Sequence, residues 1–501
     1  MRLLSGVIAT AAALFAGAVG FGGTEIAPID VSADRNPSRL DPGLVRIGTL
    51  KPRSVREIAS SPWMIDGATQ DRDFVDFDEY SQYLEALGVK ELRLMAGWAK
   101  TEKAKGAYDF AWLDHQVDWC LSHGIAVYLD ISYGNPIYAG AGGVGLADGI
   151  PQSAEGLAAW DRWVETLARH YAGRVTDWAI WNEPDNRLGQ HTYTIDDVTA
   201  FNVRTAKILK RILPDCTVNG FSLCGLDERV LARYEACLKK LGEDVRYFDT
   251  VAYHLYTDNP DIGYPMVERL RTLCATLTPG LTIRQTESGC PSEWIPRLAL
   301  SNLPLSENTQ AKWNLRRMLG DWGRGIRCSI LHISDMNYTN GQYIVFNRKG
   351  LLRADSNHRI IQVKKSYYAM QNVTAVFDDT VRPSGGRKFR TDDATVSCFA
   401  FETAAGRPVL AAWTHGAVDR KTHVIREDRI PGESFETRPV VFGWGGRRLQ
   451  DPVWVDLFTG AVYAFPEKWQ ICHPEGITFV RVPTYDSPFL LTERESIQLM
   501  D

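Results

Sequence analysis

Residues 175–184 read VTDWAIWNEP, a short apolar stretch that ends on Asn182, Glu183 and Pro184. A short apolar run rich in β-branched and aromatic residues predicts a buried strand, and Pro184 cannot continue it because proline lacks a backbone N–H. A second stretch of the same kind, LTIRQTESG at 281–289, delivers Glu287 where its strand ends. The two stretches set the pattern to look for in the rest of the chain.

From residue 61 to residue 378, such strands alternate with amphipathic stretches. Strands are predicted at 61–65, 91–95, 125–132, 175–181, 217–223, 248–255, 281–286 and 327–334. Helices are predicted at 74–87, 113–121, 157–171, 198–213, 226–241, 266–277, 307–322 and 361–370. Alternating strands and helices pair their strands in parallel, and eight such units fit a closed (β/α)8 TIM barrel within the α/β class. A doubly wound sheet is the competing fold, but no glycine-rich phosphate loop follows the first strand.

After residue 378 helical periodicity is lost, and short β-rich runs separated by turns predict a C-terminal β-sandwich over residues 379–501. Residues 44–49, within an N-terminal segment at 19–60, also resemble a strand and are expected to join that sandwich. No Ser/Thr/Pro-rich linker separates the two domains, so we expect the sandwich to be packed on the barrel. The alternative is a detachable module in which Trp413, Trp444 and Trp454 form a sugar-binding face.

The amino-acid composition of the chain indicates which classes of binding partner and cofactor are not expected. The 501 residues are 45% hydrophobic and 23% charged, which is typical of globular proteins. A net charge of −5 does not suggest a polyanion binder, so nucleic acid is not expected as a partner. The nine cysteines are scattered without a C-x-x-C pair, so zinc and redox motifs are lacking, and neither a metal nor a cofactor is expected.

The N-terminus is typical of a targeting segment. Arg2 precedes an uncharged stretch at 3–21, and Ala16-Gly17-Ala18 is a small-x-small cleavage pattern. Residues 1–18 are therefore predicted to be a signal peptide, and the protein to be secreted or periplasmic; an ordinary N-terminal helix or strand is the alternative. The sequence after this stretch contains no run of 18 apolar residues, so no transmembrane segment is predicted there.

The candidate chemistry lies where the strands end, because a barrel of this kind carries its function at the C-terminal ends of its strands. Glu183 ends the predicted fourth strand and Glu287 the seventh, so both are expected at one rim. Two carboxylates facing each other across a cleft are the basic requirement for hydrolysis of a glycosidic bond.

Trp181-Asn182-Glu183-Pro184 resembles the acid/base signature of retaining glycosidases of clan A, and Thr286-Glu287-Ser288-Gly289 resembles their nucleophile motif. A barrel with a β-sandwich built from both chain ends is most similar to glycoside hydrolase family 39, which includes β-xylosidases and α-L-iduronidases. Family 5 and newer clan A families remain possible. The resemblance implies a retaining double displacement on a glycoside, oligosaccharide or polysaccharide, with Glu183 as acid/base and Glu287 as nucleophile.

The same resemblance assigns roles to four more residues. Arg93 corresponds to the arginine that hydrogen-bonds the nucleophile, and Asn182 to the asparagine that contacts the sugar 2-hydroxyl. His254 and Tyr256 match residues that orient the nucleophile. One departure concerns the eighth strand, which many clan A members end with a tryptophan; here residues 331–338 read LHISDMNY.

Four loop residues complete the candidate site: Trp98, Tyr133, Asn135 and Trp294. Their side chains could stack on sugar rings or bind hydroxyls, and they could equally pack the loops. Two rival functions are a transglycosylase, which shares the covalent intermediate, and a catalytically inactive carbohydrate-binding barrel. The sequence does not specify the sugar, the linkage, exo or endo action, or the oligomeric state.

Overall fold

A computed structural model describes residues 27–30, 35–67, 69–339, 344–415 and 430–500. The predicted signal peptide at 1–18 lies outside these residues. The first strand, β1 (Val45–Thr49), belongs to the C-terminal domain and precedes the barrel in the chain.

Eight parallel strands close into a barrel. They are β2 (Trp63–Asp66), β3 (Glu91–Met95), β4 (Ala126–Ile131), β5 (Asp177–Ile180), β6 (Thr217–Leu223), β7 (Thr250–His254), β8 (Thr282–Glu287) and β9 (Cys328–Leu331). The last strand closes the barrel by pairing with the first, Cys328 opposite Trp63. Each strand overlaps one predicted from the sequence, and the predicted (β/α)8 barrel is confirmed.

The helices surround the barrel and begin at the caps that the sequence provides. They are α1 (Phe77–Ser81), α2 (Leu84–Leu87), α3 (Trp98–Thr101), α4 (Ala111–Ser122), α5 (Ala154–His170), α6 (Ile195–Ile212), α7 (Glu228–Leu241), α8 (Tyr264–Leu277), α9 (Glu307–Trp322) and α10 (Lys365–Val376). Ser153, Thr194 and Ser306 accept hydrogen bonds from the first turns of their helices, which satisfies amide groups that would otherwise lack partners. Among the helices described, none has both the length and the apolar character needed to cross a bilayer.

Two predicted helices differ from the structure. The stretch 74–87 forms two short helices, α1 and α2, in place of one. The helix predicted from residue 361 begins at Lys365, because the preceding residues pair in a hairpin. That hairpin consists of β12 (Leu352–Ala354) and β13 (Ile360–Val363), and it follows another, β10 (Met336–Thr339) with β11 (Ile344–Asn347). Both hairpins lie between β9 and α10 and were not predicted.

Two antiparallel sheets form the C-terminal β-sandwich. Its remaining strands are β14 (Arg382–Pro383), β15 (Phe389–Arg390), β16 (Val396–Glu402), β17 (Pro408–Thr414), β18 (Arg438–Trp444), β19 (Pro452–Asp456), β20 (Ala461–Ala464), β21 (Gln470–His473), β22 (Gly476–Thr484) and β23 (Phe489–Glu493). One sheet has the order β1-β20-β19-β23-β17-β16-β14 and the other β15-β18-β22-β21. The N-terminal strand thus forms an edge of the larger sheet, with Val45 opposite Ala464.

The sandwich packs on α9 and α10 through buried polar contacts. On α9, the Lys312 ammonium donates to Asp486 Oδ1 at 2.7 Å, and Arg316 donates to Asp261. Asp261 also accepts a hydrogen bond of 2.7 Å from the indole of Trp413. Trp413, Trp444 and Trp454 are all buried, so the described structure does not present them as a sugar-binding face.

Removing residues 379–501 should prevent the barrel from folding as a soluble monomer. The deletion would expose the buried face of α9, leave Lys312 without its carboxylate, and remove the strand on which β1 pairs. Size-exclusion chromatography and circular dichroism of residues 19–378 should show aggregated or partly folded chains. A monomeric product with full barrel signal and activity would mean that the sandwich is dispensable.

Candidate active site

A cavity of about 690 Å³ opens at the C-terminal ends of the barrel strands. The side chains that line it come from the rim of the barrel and from the two hairpins after β9. Those discussed below include Tyr133, Asn182, Glu183, Tyr256, Glu287 and Lys349. The two carboxylates that the sequence analysis singled out therefore share one cavity.

Glu183 is held by an unusual backbone. Directly after β5, Trp181 and Glu183 have φ values of 55° and 50°, in the left-handed region that costs a residue with a side chain about 1–3 kcal/mol. Hydrogen bonds hold this turn in place. The backbone N–H of Asn182 donates to Ser132 Oγ at 2.8 Å, and the backbone N–H of Glu183 donates to the Ser222 carbonyl at 2.9 Å. Strain of this kind concentrates at functional sites, and here it presents Glu183 to the cavity.

The carboxylate of Glu183 contacts two neighbours. Its Oε1 lies 2.8 Å from His254 Nδ1, and its Oε2 accepts a hydrogen bond of 3.2 Å from the amide of Asn186. Because His254 is completely buried, this contact fixes the direction of the carboxylate.

Glu287, the last residue of β8, accepts two hydrogen bonds. Arg93 Nη1 donates to its Oε2 and the hydroxyl of Tyr256 to its Oε1, both at 2.9 Å. Arg93 is only 1% exposed, and it also donates to Asp66 at 2.6 Å and to Asp130 at 2.7 Å. One guanidinium therefore joins three carboxylates from three barrel strands.

Neighbouring charges and hydrogen bonds keep the carboxyl group of Glu287 ionised. Burial acts to raise the pKa of Glu287, but the charges of His254 and Arg93 and the hydrogen bonds from Arg93 and Tyr256 outweigh it and lower the pKa to about 2. Glu287 is therefore a carboxylate at neutral pH. Burial acts to lower the pKa of His254, but the Glu287 charge and the hydrogen bond with Glu183 raise it above its ordinary value.

Glu183, His254 and Glu287 each offer one ligand atom, and these atoms all lie within 4.8 Å of one another. Such a group could hold a metal ion. However, the Arg93 guanidinium already occupies Oε2 of Glu287, and an ion bound there would face its positive charge. The arrangement suits a reaction between two carboxylates and an organic substrate better than cation binding.

Solved structures share this architecture. A family 39 glycoside hydrolase from the gut symbiont Bacteroides cellulosilyticus WH2 superposes with a TM-score of 0.60 at 17% identity, covering 87% of this chain and 81% of that one. A glucosidase from Croceicoccus marinus gives 0.55 at 14% identity, and a monomeric beta-xylosidase from Caulobacter crescentus CB15 gives 0.54 at 15%; each comparison covers 89% of this chain and 97% of the other. The chain has the fold of the family 39 glycoside hydrolases.

The family 39 fold is preserved here at low sequence identity. No protein-family model matches the sequence. No curated protein matches it either. The resemblance inferred from two short motifs is confirmed at the level of the fold, and the roles of individual residues have to be argued from their geometry.

Within this fold, several predicted site residues come together as expected. Arg93 and Tyr256 hydrogen-bond Glu287. Asn182 lines the cavity. Its Oδ1 accepts a hydrogen bond from Arg93 at 2.6 Å, and its side-chain Nδ2 donates to the Tyr133 hydroxyl at 2.8 Å. Tyr133 lines the cavity as well.

The position of His254 differs from the expectation that it orients Glu287. Its Nδ1 hydrogen-bonds Glu183 and lies 4.0 Å from Glu287 Oε2. A register shift between Tyr253 and His254 places His254 opposite Glu287 in the β7–β8 ladder, and its ring engages Glu183. His254 thus positions the carboxylate that the sequence analysis assigned as acid/base.

Three predicted loop residues are not brought to the cavity. Trp98 is completely buried, its indole donates to Glu102, and it stacks on Trp163 with ring centroids 5.7 Å apart, so it belongs to the helix-side core. Asn135 is buried too, and its amide donates to the Glu102 carbonyl at 2.8 Å. Trp294 is 57% exposed and is not part of the cavity lining.

The end of the eighth strand has no tryptophan in the cavity. Leu331 lines it instead, together with Met336 and Tyr338 from β10. His332 is buried, and burial with the nearby Lys349 and Lys364 charges lowers its pKa to about 3, so its ring is neutral. Leu331 and a hairpin therefore line the cavity after the eighth strand, which many clan A members end with a tryptophan.

Other residues at the site were not predicted from the sequence. Asp66 and Asp130 lie at or next to strand ends, and the rule that located Glu183 and Glu287 could have found them. Arg72 lines the cavity from a short 3-10 turn, Gln70–Arg72, and Lys349 from the connection between β11 and β12. No motif marks these last two, because the fold of their loops alone brings them to the site.

Replacing Arg93 should destabilise the protein strongly. Arg93→Met leaves Asp66, Asp130 and Glu287 buried without their shared cation, and loss of one partner from such a cluster costs about 3–5 kcal/mol. Urea denaturation at pH 7 measures the loss. The matched control is Arg204→Met, which breaks a partly exposed pair with Asp161 and should cost less than about 1 kcal/mol. Equal losses would contradict the account of this network.

The low pKa of Glu287 also predicts how stability depends on pH. A carboxyl group whose pKa falls from 4.5 to about 2 on folding stabilises the folded state above pH 4.5, and this contribution is lost as the pH falls towards 2. The free energy of unfolding of the wild type, minus that of Glu287→Gln, should therefore decrease between pH 5 and pH 2.5. A difference that stays constant over this range would show that Glu287 is not stabilised as a carboxylate.

Proposed function

We propose that the protein is a retaining glycoside hydrolase in which Glu287 is the nucleophile and Glu183 the acid/base. The observation that carries this proposal is the pair of carboxylates in one cavity, with oxygens within 4.8 Å of each other. Retaining enzymes hold their carboxyl groups about 5–5.5 Å apart, whereas inverting enzymes need about 6.5–9.5 Å to admit a water molecule.

In the first step, an oxygen of Glu287 attacks the anomeric carbon while Glu183 gives its proton to the glycosidic oxygen. The bond to the leaving group breaks, its electron pair goes to the protonated oxygen, and a glycosyl ester forms on Glu287. Arg93 and Tyr256 hold Glu287 ionised and aimed for this attack.

In the second step, Glu183 takes a proton from water, the water oxygen attacks the anomeric carbon, and Glu287 leaves as a carboxylate. Glu183 gives up its proton in the first step, so the same residue, now a carboxylate, acts as the base in the second step. His254 positions Glu183 through the contact between its Nδ1 and Oε1 of the carboxylate.

The substrate class follows from this chemistry and from the similarly folded proteins, which include a xylosidase and a glucosidase. We propose a glycoside, oligosaccharide or polysaccharide with an O-glycosidic bond. We also propose export to the periplasm or the exterior, on the basis of the N-terminal sequence pattern.

Replacing either glutamate should remove activity on nitrophenyl glycosides. Glu287→Ala and Glu183→Ala should each lower kcat by at least about a thousandfold, because a nucleophile or a general acid is lost. The matched control is Glu102→Gln, a completely buried glutamate outside the cavity, which should retain activity within about tenfold. Azide should rescue Glu287→Ala and give a glycosyl azide of inverted configuration.

Product analysis separates this proposal from its rivals. NMR of the first sugar released should show the anomeric configuration of the substrate, and an inverted anomer would refute the mechanism. Product transfer to added sugar acceptors in place of water would identify a transglycosylase. Saccharide binding without cleavage of any glycoside tested would identify a carbohydrate-binding barrel.

A further inference from the structure

Among the residues that the structure describes, three lysines are almost completely buried: Lys312, Lys349 and Lys364. A buried ammonium group is costly unless it is paired and hydrogen-bonded. Lys312 donates to Asp486 and to the carbonyls of Gly432 and Ser434, at 2.6–2.8 Å. Lys364 likewise has Asp335, at 2.6 Å, and further acceptors, so both are explained by the fold.

Lys349 differs from the other two. Among the residues described, the partner of its ammonium is Asn347 Oδ1 at the long distance of 3.4 Å, and it forms no ion pair with a carboxylate of those residues. The side chain lines the cavity that holds Glu183 and Glu287. An ammonium with three N–H donors is therefore built into the cavity wall with most of its bonding capacity unused.

The group lies close to the reacting centre. Lys349 Nζ is 5.7 Å from the centre of the Tyr256 ring, whose hydroxyl donates to Glu287. Lys349 therefore lies beside the tyrosine that hydrogen-bonds the proposed nucleophile. Among the residues described, the charged and titratable groups around it include Tyr256, Glu287, Cys290 and His332, the last of these neutral.

The ammonium remains a cation at neutral pH. Burial lowers the pKa of Lys349 to about 8, and the influence of Cys290 and Glu287 only partly opposes the effect of burial. An anion bound against the ammonium would favour its charged form, whereas a neutral hydroxyl would leave the charge uncompensated.

The rest of the site would repel an acidic substrate. Asp66, Asp130 and Glu287 share the single charge of Arg93, so these four groups together are negative, and Glu287 among them lines the cavity. The other cation in the described cavity lining is Arg72, and it is paired with Asp71 at 3.2 Å. Lys349 is thus the group that can hold an anion beside the nucleophile.

We propose that Lys349 binds an anionic substituent, a carboxylate or a sulfate, on the sugar that Glu287 attacks, and so makes the protein selective for acidic glycosides. This inference rests on the proposed function and deepens it. A charge-assisted hydrogen bond in a cavity with little water is stronger than one to a hydroxyl, which gives Lys349 its discriminating power.

The test compares nitrophenyl glycosides that differ only at C5: a neutral hydroxymethyl, a carboxylate and a 6-sulfate, in gluco and galacto configurations and both anomers. The wild type should have a higher kcat/KM for an anionic member than for its neutral counterpart. Comparison of the uronide and sulfate series identifies which anion is bound. A wild type that prefers the neutral sugar in every series would overturn the proposal.

Two variants of Lys349 test its part in this preference. Lys349→Met and Lys349→Gln should lower the ratio of kcat/KM for anionic over neutral substrates by about tenfold to a hundredfold, the value of a hydrogen bond to a charged group. The matched control is Lys312→Met, which also removes a buried ammonium, but one that does not line the cavity, and should leave the ratio within about twofold. A ratio that changes equally in all three variants would refute the role of Lys349.

The pH dependence gives a readout that does not require a variant to fold. In the wild type, the same ratio should fall as the pH rises through about 8, because Lys349 loses its charge there. A ratio that does not change between pH 6.5 and pH 9.5 would contradict the proposal.

If no glycoside is cleaved, binding separates the two proposals. Isothermal titration calorimetry of the wild type with free hexuronic acids, hexose 6-sulfates and neutral hexoses should still detect selective binding of an anionic sugar. The Lys349→Gln variant should bind that sugar more weakly. That result would support the anion site and reject hydrolysis. The lack of any preference for anionic sugars would overturn the anion site itself.

Discussion

The guanidinium of Arg93 is the interaction on which the site depends. From the middle of β3 it hydrogen-bonds Asp66 at the end of β2, Asp130 on β4 and Glu287 on β8, and it also reaches Asn182. Parallel strands alone bring these residues to one rim, but like charges so close together would repel one another in a medium of low dielectric constant. A single buried cation offsets that repulsion, and it also keeps the nucleophile candidate ionised.

Two cations of the described cavity lining, Lys349 and Arg72, differ from Arg93 in how many protein groups they bind. Both Nη atoms of Arg93 donate to side chains of the protein, whereas the Lys349 ammonium has one long hydrogen bond among the residues described and is available to a ligand. Arg72 is intermediate, since Asp71 neutralises it while the guanidinium lies over the Tyr133 ring, 4.7 Å from its centre. The number of protein acceptors around a buried charge thus separates groups that build the cavity from one that can recognise what enters it.

The β-sandwich contributes to the site indirectly. Its contacts fall on α9 and α10, next to the hairpins that bring Tyr338 and Lys349 into the cavity. Gln310 of α9 donates to the carbonyls of Lys349 and Gly350 at 3.0 and 3.1 Å, so the helix that anchors the sandwich also fixes the lysine-bearing loop. Packing between the domains therefore helps to hold the cavity wall in place.

The sequence alone determined the barrel, the sandwich and the two facing glutamates, because strand periodicity and the residue that ends each strand are local properties. The expectation that Arg93 and Tyr256 would meet Glu287 came from the resemblance to clan A glycosidases. Only the tertiary structure decided that His254 engages Glu183, that Trp98 packs into the core and that Lys349 enters the cavity. These outcomes depend on a register shift, on helix packing and on two hairpins whose positions are set by contacts between residues distant in the chain, and no local pattern encodes them.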